Sequence, residues 1–141
     1  MNSNTTHAHM SCLFCEIIQK DIPAHVVHEN DSTVSFLDIH PCTKGHTVVI
    51  PKTHLLSIED ADEQVLSTLL FGVQETVAIL RKVLSPDAFS IGWNNGEEAG
   101  QVVPHLHVHI LPRWKGDGGG SMHSIVQKDP DIAIEELAAL F

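Results

Sequence analysis

Between residues 59 and 84, the apolar side chains of Val65, Leu69, Val73, Val77, Leu80 and Leu84 return every three or four positions. That spacing marks one face of an α-helix, and Pro86 follows its end, so one long helix is predicted over 59–84. Elsewhere the apolar positions come in short runs bounded by turn residues. Residues 13–20 predict a short helix with Phe14, Ile17 and Ile18 on its apolar face, ended by Pro23. Residues 25–29 and 33–38 predict two strands joined by an Asn30-Asp31 turn. The β-branched run 47–51 predicts a third strand, after a loop over 41–46 that contains Gly45. Residues 88–93 and 105–111 predict a fourth and a fifth. A glycine-rich loop over 116–120 leads to a terminal helix over 129–141, with Asp129 and Pro130 at its start. The whole predicts an α+β fold: an antiparallel sheet of about five strands, one long helix, and short helices at the ends.

The fifth strand carries the chemistry. It reads His105-Leu106-His107-Val108-His109-Ile110-Leu111. Side chains alternate faces along a strand, so the three imidazoles share one face while Leu106, Val108 and Ile110 take the other. A single metal held by all three is disfavoured by length: positions i and i+4 of a strand lie roughly 13 Å apart, whereas two nitrogens on tetrahedral zinc lie about 3.4 Å apart. One or two of the three joining ligands from elsewhere remains open. Nucleophilic catalysis suits the row better. A neutral imidazole is a good nucleophile at pH 7 and a good leaving group, and neighbouring donors can hold phosphate oxygens as charge moves.

The chain has 141 residues, 43% of them hydrophobic, with a mean hydropathy of +0.04; this fits one folded domain and no long apolar span. A formal net charge of −10 opposes a polyanionic partner, so a nucleic-acid-coating role is excluded, while a small phosphate ligand needs only a local cluster of donors. Three cysteines make no disulfide framework and point to a reducing, cytoplasmic compartment. Cys12 and Cys15, three apart at a helix start, share a face. The helix N-terminus favours their thiolates, and together they supply half of a zinc site. A redox pair is the rival reading, although no thioredoxin-like βαβ pattern surrounds them. Cys42 has no evident partner.

The run 100–109, Gly-Gln-Val-Val-Pro-His-Leu-His-Val-His, resembles the signature of the histidine-triad (HIT) family. The likeness extends over about 12–114 through Phe36-Leu37-Asp38-Ile39, the segment 44–54 and Asn94-Asn95-Gly96. The nearest branch is the nucleotide-binding proteins with purine phosphoramidase activity and their bacterial-type relatives with Cys-x-x-Cys. The polar run of Asn, Ser, Thr and His at the start predicts a flexible leader over 1–11, and the resemblance implies a HIT domain over 12–115 followed by a C-terminal extension over 116–141. It implies hydrolysis at the α-phosphate of purine nucleotide conjugates, either phosphoramidates or dinucleoside polyphosphates, through a nucleotidyl-histidine. A purine-nucleotide-binding module with weak hydrolysis is the alternative.

The residue roles follow from the same likeness. His107 would be the nucleophile, with His105, His109 and His46 orienting it and binding phosphate. Asp38 would bind the ribose hydroxyls, and Asn94 and Gln101 would lie on the phosphate side. Leu13, Phe14, Ile17, Ile22 and Phe36 would form the pocket for the base. Zinc would be structural, held by Cys12, Cys15, His54 and His105, whose charges with the metal sum to zero. No organic cofactor and no membrane partner are implied, and the protein would be a homodimer. Its long helix and the 88–93 strand carry apolar positions that one small domain would not fully cover. One departure stands out: Val102 occupies a position that is often serine in strong phosphoramidases.

Overall fold

The computed structural model describes residues 12–141; the leader expected over 1–11 lies outside them. Helix α1 (Leu13–Ile18) is followed by strands β1 (Val26–Glu29), β2 (Thr33–Leu37) and β3 (Thr47–Pro51). The long helix α2 (Glu63–Leu84), strands β4 (Ala88–Gly92) and β5 (Val108–Arg113), and a short helix α3 (Ile134–Ala138) complete the order. The strands form one antiparallel sheet in the order β1-β2-β3-β5-β4. The expected α+β architecture is therefore present.

Several boundaries differ from those the sequence predicts. Helix α2 begins at Glu63 rather than at 59, because the Asp62 carboxylate caps it by accepting from the Val65 N–H at 2.8 Å. Residues Ile58–Asp60 form a separate 3₁₀ turn, with Ser57 and Asp60 bonded to each other. Helix α1 stops at Ile18, ahead of Lys20 in the left-handed region, so Pro23 is not what ends it. The terminal helix shrinks to Ile134–Ala138, capped by Ala133 and not by Asp129 or Pro130; its acidic, exposed turns gain little from packing. Strand β5 pairs only from Val108, so His105 and His107 precede the ladder. At the hairpin the Asn30 side-chain oxygen accepts from the Ser32 and Thr33 N–H groups, both at 2.8 Å, which is how the predicted turn closes.

Two cores lie on opposite faces of the sheet. Val49, Leu106, Val108 and Ile110 pack with Leu55 and with Leu69, Val73 and Leu80 of α2. Val34, Phe36, Val48 and Ile50 pack with Cys12, Phe14, Cys15 and Ile17 of the α1 segment. The alternation predicted for 105–110 therefore holds even where the ladder does not. Leu70, Phe71 and Val83 of α2 and Ile91 of the edge strand β4 stay exposed, as the sequence suggested.

Helix α2 meets β2 closely at one point. A β-carbon on Gly72 would sit 2.5 Å from Thr33 Oγ1 and 3.1 Å from two Thr33 carbons, and the next turn is tied down by Thr76 Oγ1 donating to Ser35 Oγ at 3.0 Å. In an open helix, Gly→Ala stabilises by about 1 kcal/mol. Here overpacking reverses the sign: Gly72→Ala should destabilise by roughly 1–3 kcal/mol in urea unfolding. A stabilised variant would show that the helix can move away from β2 at little cost.

Candidate active site

The histidines sit on the α1 face of the sheet, where β3 and β5 run side by side and α1 crosses beneath. Each ring is fixed by a hydrogen bond that also sets which nitrogen carries the proton. His105 Nε2 lies 2.9 Å from the Pro51 carbonyl. A carbonyl only accepts, so Nε2 carries the hydrogen and Nδ1 presents a lone pair. That lone pair faces Cys12 Sγ at 3.5 Å, Cys15 Sγ at 3.6 Å and His54 Nδ1 at 3.2 Å, and Cys15 Sγ lies 3.2 Å from His54 Nδ1. His107 Nδ1 donates in the same way to the His105 carbonyl at 2.6 Å. Its Nε2 is then the nitrogen with the lone pair. The backbone N–H of Cys42 donates to His46 Nδ1 at 3.1 Å, which puts the His46 hydrogen on Nε2. That nitrogen is 2.9 Å from His109 Nδ1 and 3.5 Å from Asp38 Oδ2. His109 Nδ1 thus accepts, and its Nε2–H is a donor.

The predicted triad therefore divides. His107 and His109 stand edge to face with ring centroids 5.0 Å apart, while His105 turns to His54, also with centroids 5.0 Å apart. Within the site, His105 acts on His107 through its backbone carbonyl, while its ring belongs to the cysteine cluster. Phe14 lies edge-on to His107 at 5.1 Å and to Phe36 at 5.4 Å. Phe14, Ile17 and Phe36 are buried together with Ile22 packed against them, whereas Leu13 is 44% exposed and outside that cluster. Asn94 lines an open cavity with His46 and His109. Gln101 is buried, and its amide bonds to backbone: Nε2 donates to the Leu56 and Val103 carbonyls, and Oε1 accepts from Gly96 N–H. It staples the 94–104 loop to residue 56. The carbonyls of Pro51 and His105 and the N–H of Cys42 could not be found from residue types, because every residue has them.

The HIT domain profile matches residues 19–116. The chain belongs to the HIT family. It is 47% identical over 107 residues to an uncharacterized HIT-like protein of Methanocaldococcus jannaschii, covering 76% of this chain and 82% of that one. It is similar to the crystal structure of a Zn-bound histidine triad family protein from Mycobacterium smegmatis, at 36% identity and a TM-score of 0.75, over 87% of this chain and 86% of that one. An adenylylsulfatase of Arabidopsis thaliana is 35% identical over 106 residues, 75% of this chain and 54% of that protein.

Among the described residues, two groups of side chains in this HIT protein have metal-like spacing, and the hydrogen bonds separate them. The ligand atoms of Cys12, Cys15, His54 and His105 lie within 4.8 Å of one another. Tetrahedral zinc would set S–N and N–N separations of about 3.6 and 3.4 Å, which these distances match, and the His105 lone pair points inward. Asp38, His46 and His109 are equally close, but His46 offers a hydrogen at Nε2 where a metal would need a lone pair. The first group fits zinc and the second does not. Against the expectation from the helix N-terminus, the Cys15 thiol is pushed up to about 12, by burial first and then by the adjacent Cys12. A cation would reverse that balance and release the proton.

Elemental analysis of protein purified without chelator should find about one zinc per chain. Cys12→Ser should lose the zinc and lower the melting temperature. Metal-free wild-type protein with an unchanged melting temperature would count against the site.

Burial holds His46 and His107 below the usual imidazole range and takes His109 to about 4, helped there by the charges of His107 and His46. Between the ordinary 6.5 and that value, the unfolded chain binds a proton at residue 109 that the folded chain does not. Stability therefore falls as pH drops through that window and levels off below it. His109 alone contributes a slope of up to about 1.4 kcal/mol per pH unit. Urea unfolding between pH 7 and 4.5 should show a shallower decline in His109→Asn than in wild type at equal zinc content. Identical slopes would remove His109 as the source.

Proposed function

We propose that this protein is a nucleotide hydrolase that attacks the α-phosphorus of a purine nucleotide conjugate with His107. The carrying observation is the 2.6 Å bond from His107 Nδ1 to the His105 carbonyl, which leaves Nε2 as an oriented nucleophile. The depressed basicity of the buried ring keeps it neutral, the form that can attack. In the first step, Nε2 forms a P–N bond, and the bond from phosphorus to the leaving group breaks with its electron pair on the departing atom. Nε2–H of His109 is a donor for a phosphate oxygen or the departing atom as charge moves there. In the second step, a water oxygen attacks phosphorus, the P–N bond breaks, and the water proton is released; the product is a nucleoside monophosphate.

The nucleoside end has a natural place. Phe14 and Phe36 give an apolar flank beside His107, and the Asp38 carboxylate, close to His46, has the chemistry to take two ribose hydroxyls. The similar Arabidopsis adenylylsulfatase supports a reaction at an adenylyl group. Gln101, committed to backbone, serves this reading by holding the loop that carries Asn94. Structural zinc at Cys12, Cys15, His54 and His105 would steady the His105 ring and take no part in the bond changes.

His107→Ala should retain nucleotide binding and lose turnover by about three orders of magnitude or more. Rapid quenching of wild type with an adenosine phosphoramidate should trap an adenylyl adduct, which mass spectrometry should map to His107. Binding without any adduct or turnover in wild type would favour the binding-module alternative. Near-native turnover in His107→Ala would overturn the mechanism.

A further inference from the structure

The sequence leaves two readings of Cys12 and Cys15 open, half a zinc site and a redox pair, and the fold makes them compatible. Both cysteines are buried, and Cys12 Sγ accepts the Cys15 N–H at 3.5 Å. Their sulfurs share one cluster with the ring nitrogens of His54 and His105, all within 4.8 Å of one another. That spacing serves zinc, and it also puts two sulfurs within reach of each other. Cys42 is exposed and lies outside the cluster. The cluster is not sealed from solvent. His54 is its exposed member, with Nδ1 3.2 Å from Cys15 Sγ, so the way to that sulfur runs past a single imidazole. The pair also frames a side chain of the candidate active site. Phe14 stands between the two cysteines in the chain, its ring centroid 6.0 Å from that of His105, 5.1 Å from that of His107 and 5.4 Å from that of Phe36. Helix α1 is only six residues long. A helix that short has no stability of its own and keeps its place through what it packs against and what ties it down. A change at the two sulfurs is therefore felt at Phe14.

We infer that Cys12 and Cys15 are a modification site: hydrogen peroxide oxidises the pair to a disulfide, the cluster gives up its zinc, and the Phe14 wall loosens from His107. The effect on nucleotide binding rests on the proposed function; the sulfur chemistry does not. In the first step the Cys15 thiolate attacks one peroxide oxygen, the O–O bond breaks, hydroxide leaves, and Cys15 becomes a sulfenic acid. In the second, the Cys12 thiolate attacks the Cys15 sulfur, an S–S bond forms, the S–O bond breaks, and a second hydroxide leaves. Two protons from solvent turn the hydroxides into water; peroxide has gained two electrons and the sulfur pair has lost two. Cys12 stands close enough to intercept the sulfenic acid before a second peroxide takes it to sulfinic acid. The disulfide has no thiolate to offer a metal, and two imidazoles supply only half of a tetrahedral set. The sulfurs that faced His105 Nδ1 at 3.5 and 3.6 Å are then bonded to each other, and α1 loses its tie to that ring.

The test treats the zinc-loaded Cys42→Ser protein, in which the pair supplies all the thiols, with hydrogen peroxide. A chromophoric chelator should record about one zinc released per chain as the thiols disappear. Peptide mapping without reductant should find the disulfide between residues 12 and 15, and dithiothreitol with added zinc should reverse it. The calorimetric Kd for adenosine monophosphate should weaken by about tenfold on oxidation and recover on reduction. Acylation of His107 by diethyl pyrocarbonate, mapped by mass spectrometry, should quicken severalfold; this readout needs no nucleotide. In a further Cys15→Ser variant, which cannot close the disulfide, peroxide should leave both readouts at their untreated values. Sulfinic acid in place of the disulfide, zinc kept by the oxidised protein, a disulfide that moves neither readout, or an equal effect in Cys15→Ser would overturn the switch. Protein that carries no zinc yet forms the disulfide and exposes His107 would overturn the zinc assignment and uphold the switch. Zinc release and faster acylation in a protein that binds no adenosine monophosphate when reduced would overturn the nucleotide reading and uphold the switch.

Discussion

The site depends on one histidine having a single ring orientation. His105 is fully buried and uses three groups at once: Nε2–H toward the Pro51 carbonyl, Nδ1 toward two thiols and His54, and its own carbonyl toward His107 Nδ1. Rotate that ring and the cysteine cluster loses a ligand; shift its backbone and His107 loses the bond that fixes its tautomer. Neighbouring loops converge on the same place. Leu106 N–H donates to the Leu55 carbonyl at 2.7 Å, next to His54, and Gln101 joins residue 56 to the 94–104 loop. A rigid backbone thus serves the metal-like cluster and the proposed nucleophile together, as a preorganised site requires.

The fold was largely legible because its signals are periodic. The three-and-four spacing from Val65 to Leu84 located α2, and the two-residue alternation from His105 to Ile110 located both faces of the sheet. Boundaries were less legible, since they depend on caps and tertiary support. The Asp62 cap, three residues inside the predicted start, moves the beginning of α2, and the acidic C-terminal turns lack a packed face to extend them.

In the site, residue types and the family likeness named side chains that the fold brings together, but they could not assign the partners of those side chains. Nothing in a His-x-His-x-His pattern says that the first ring turns toward Cys12 while the second and third stay together. The family likeness put Gln101 on the phosphate side; in the fold its amide is taken up by loop backbone. The decisive partners of His105, His107 and His46 are main-chain groups. They become visible only when the chain has brought residue 51 beside residue 105, and residue 42 beside residue 46.

The alternation through 105–110 has a consequence for how this sequence can change over time. Leu106, Val108 and Ile110 answer to the α2 core, while His105, His107 and His109 face the candidate site, and the two sets interleave residue by residue. Substitutions can explore one set while leaving the other intact, because the sheet keeps them on separate sides. A single-residue insertion or deletion has no such freedom. It would send the imidazoles into the hydrocarbon interior and the aliphatic chains into the cleft in one event. This stretch of the chain is open to drift in letters and closed to drift in length.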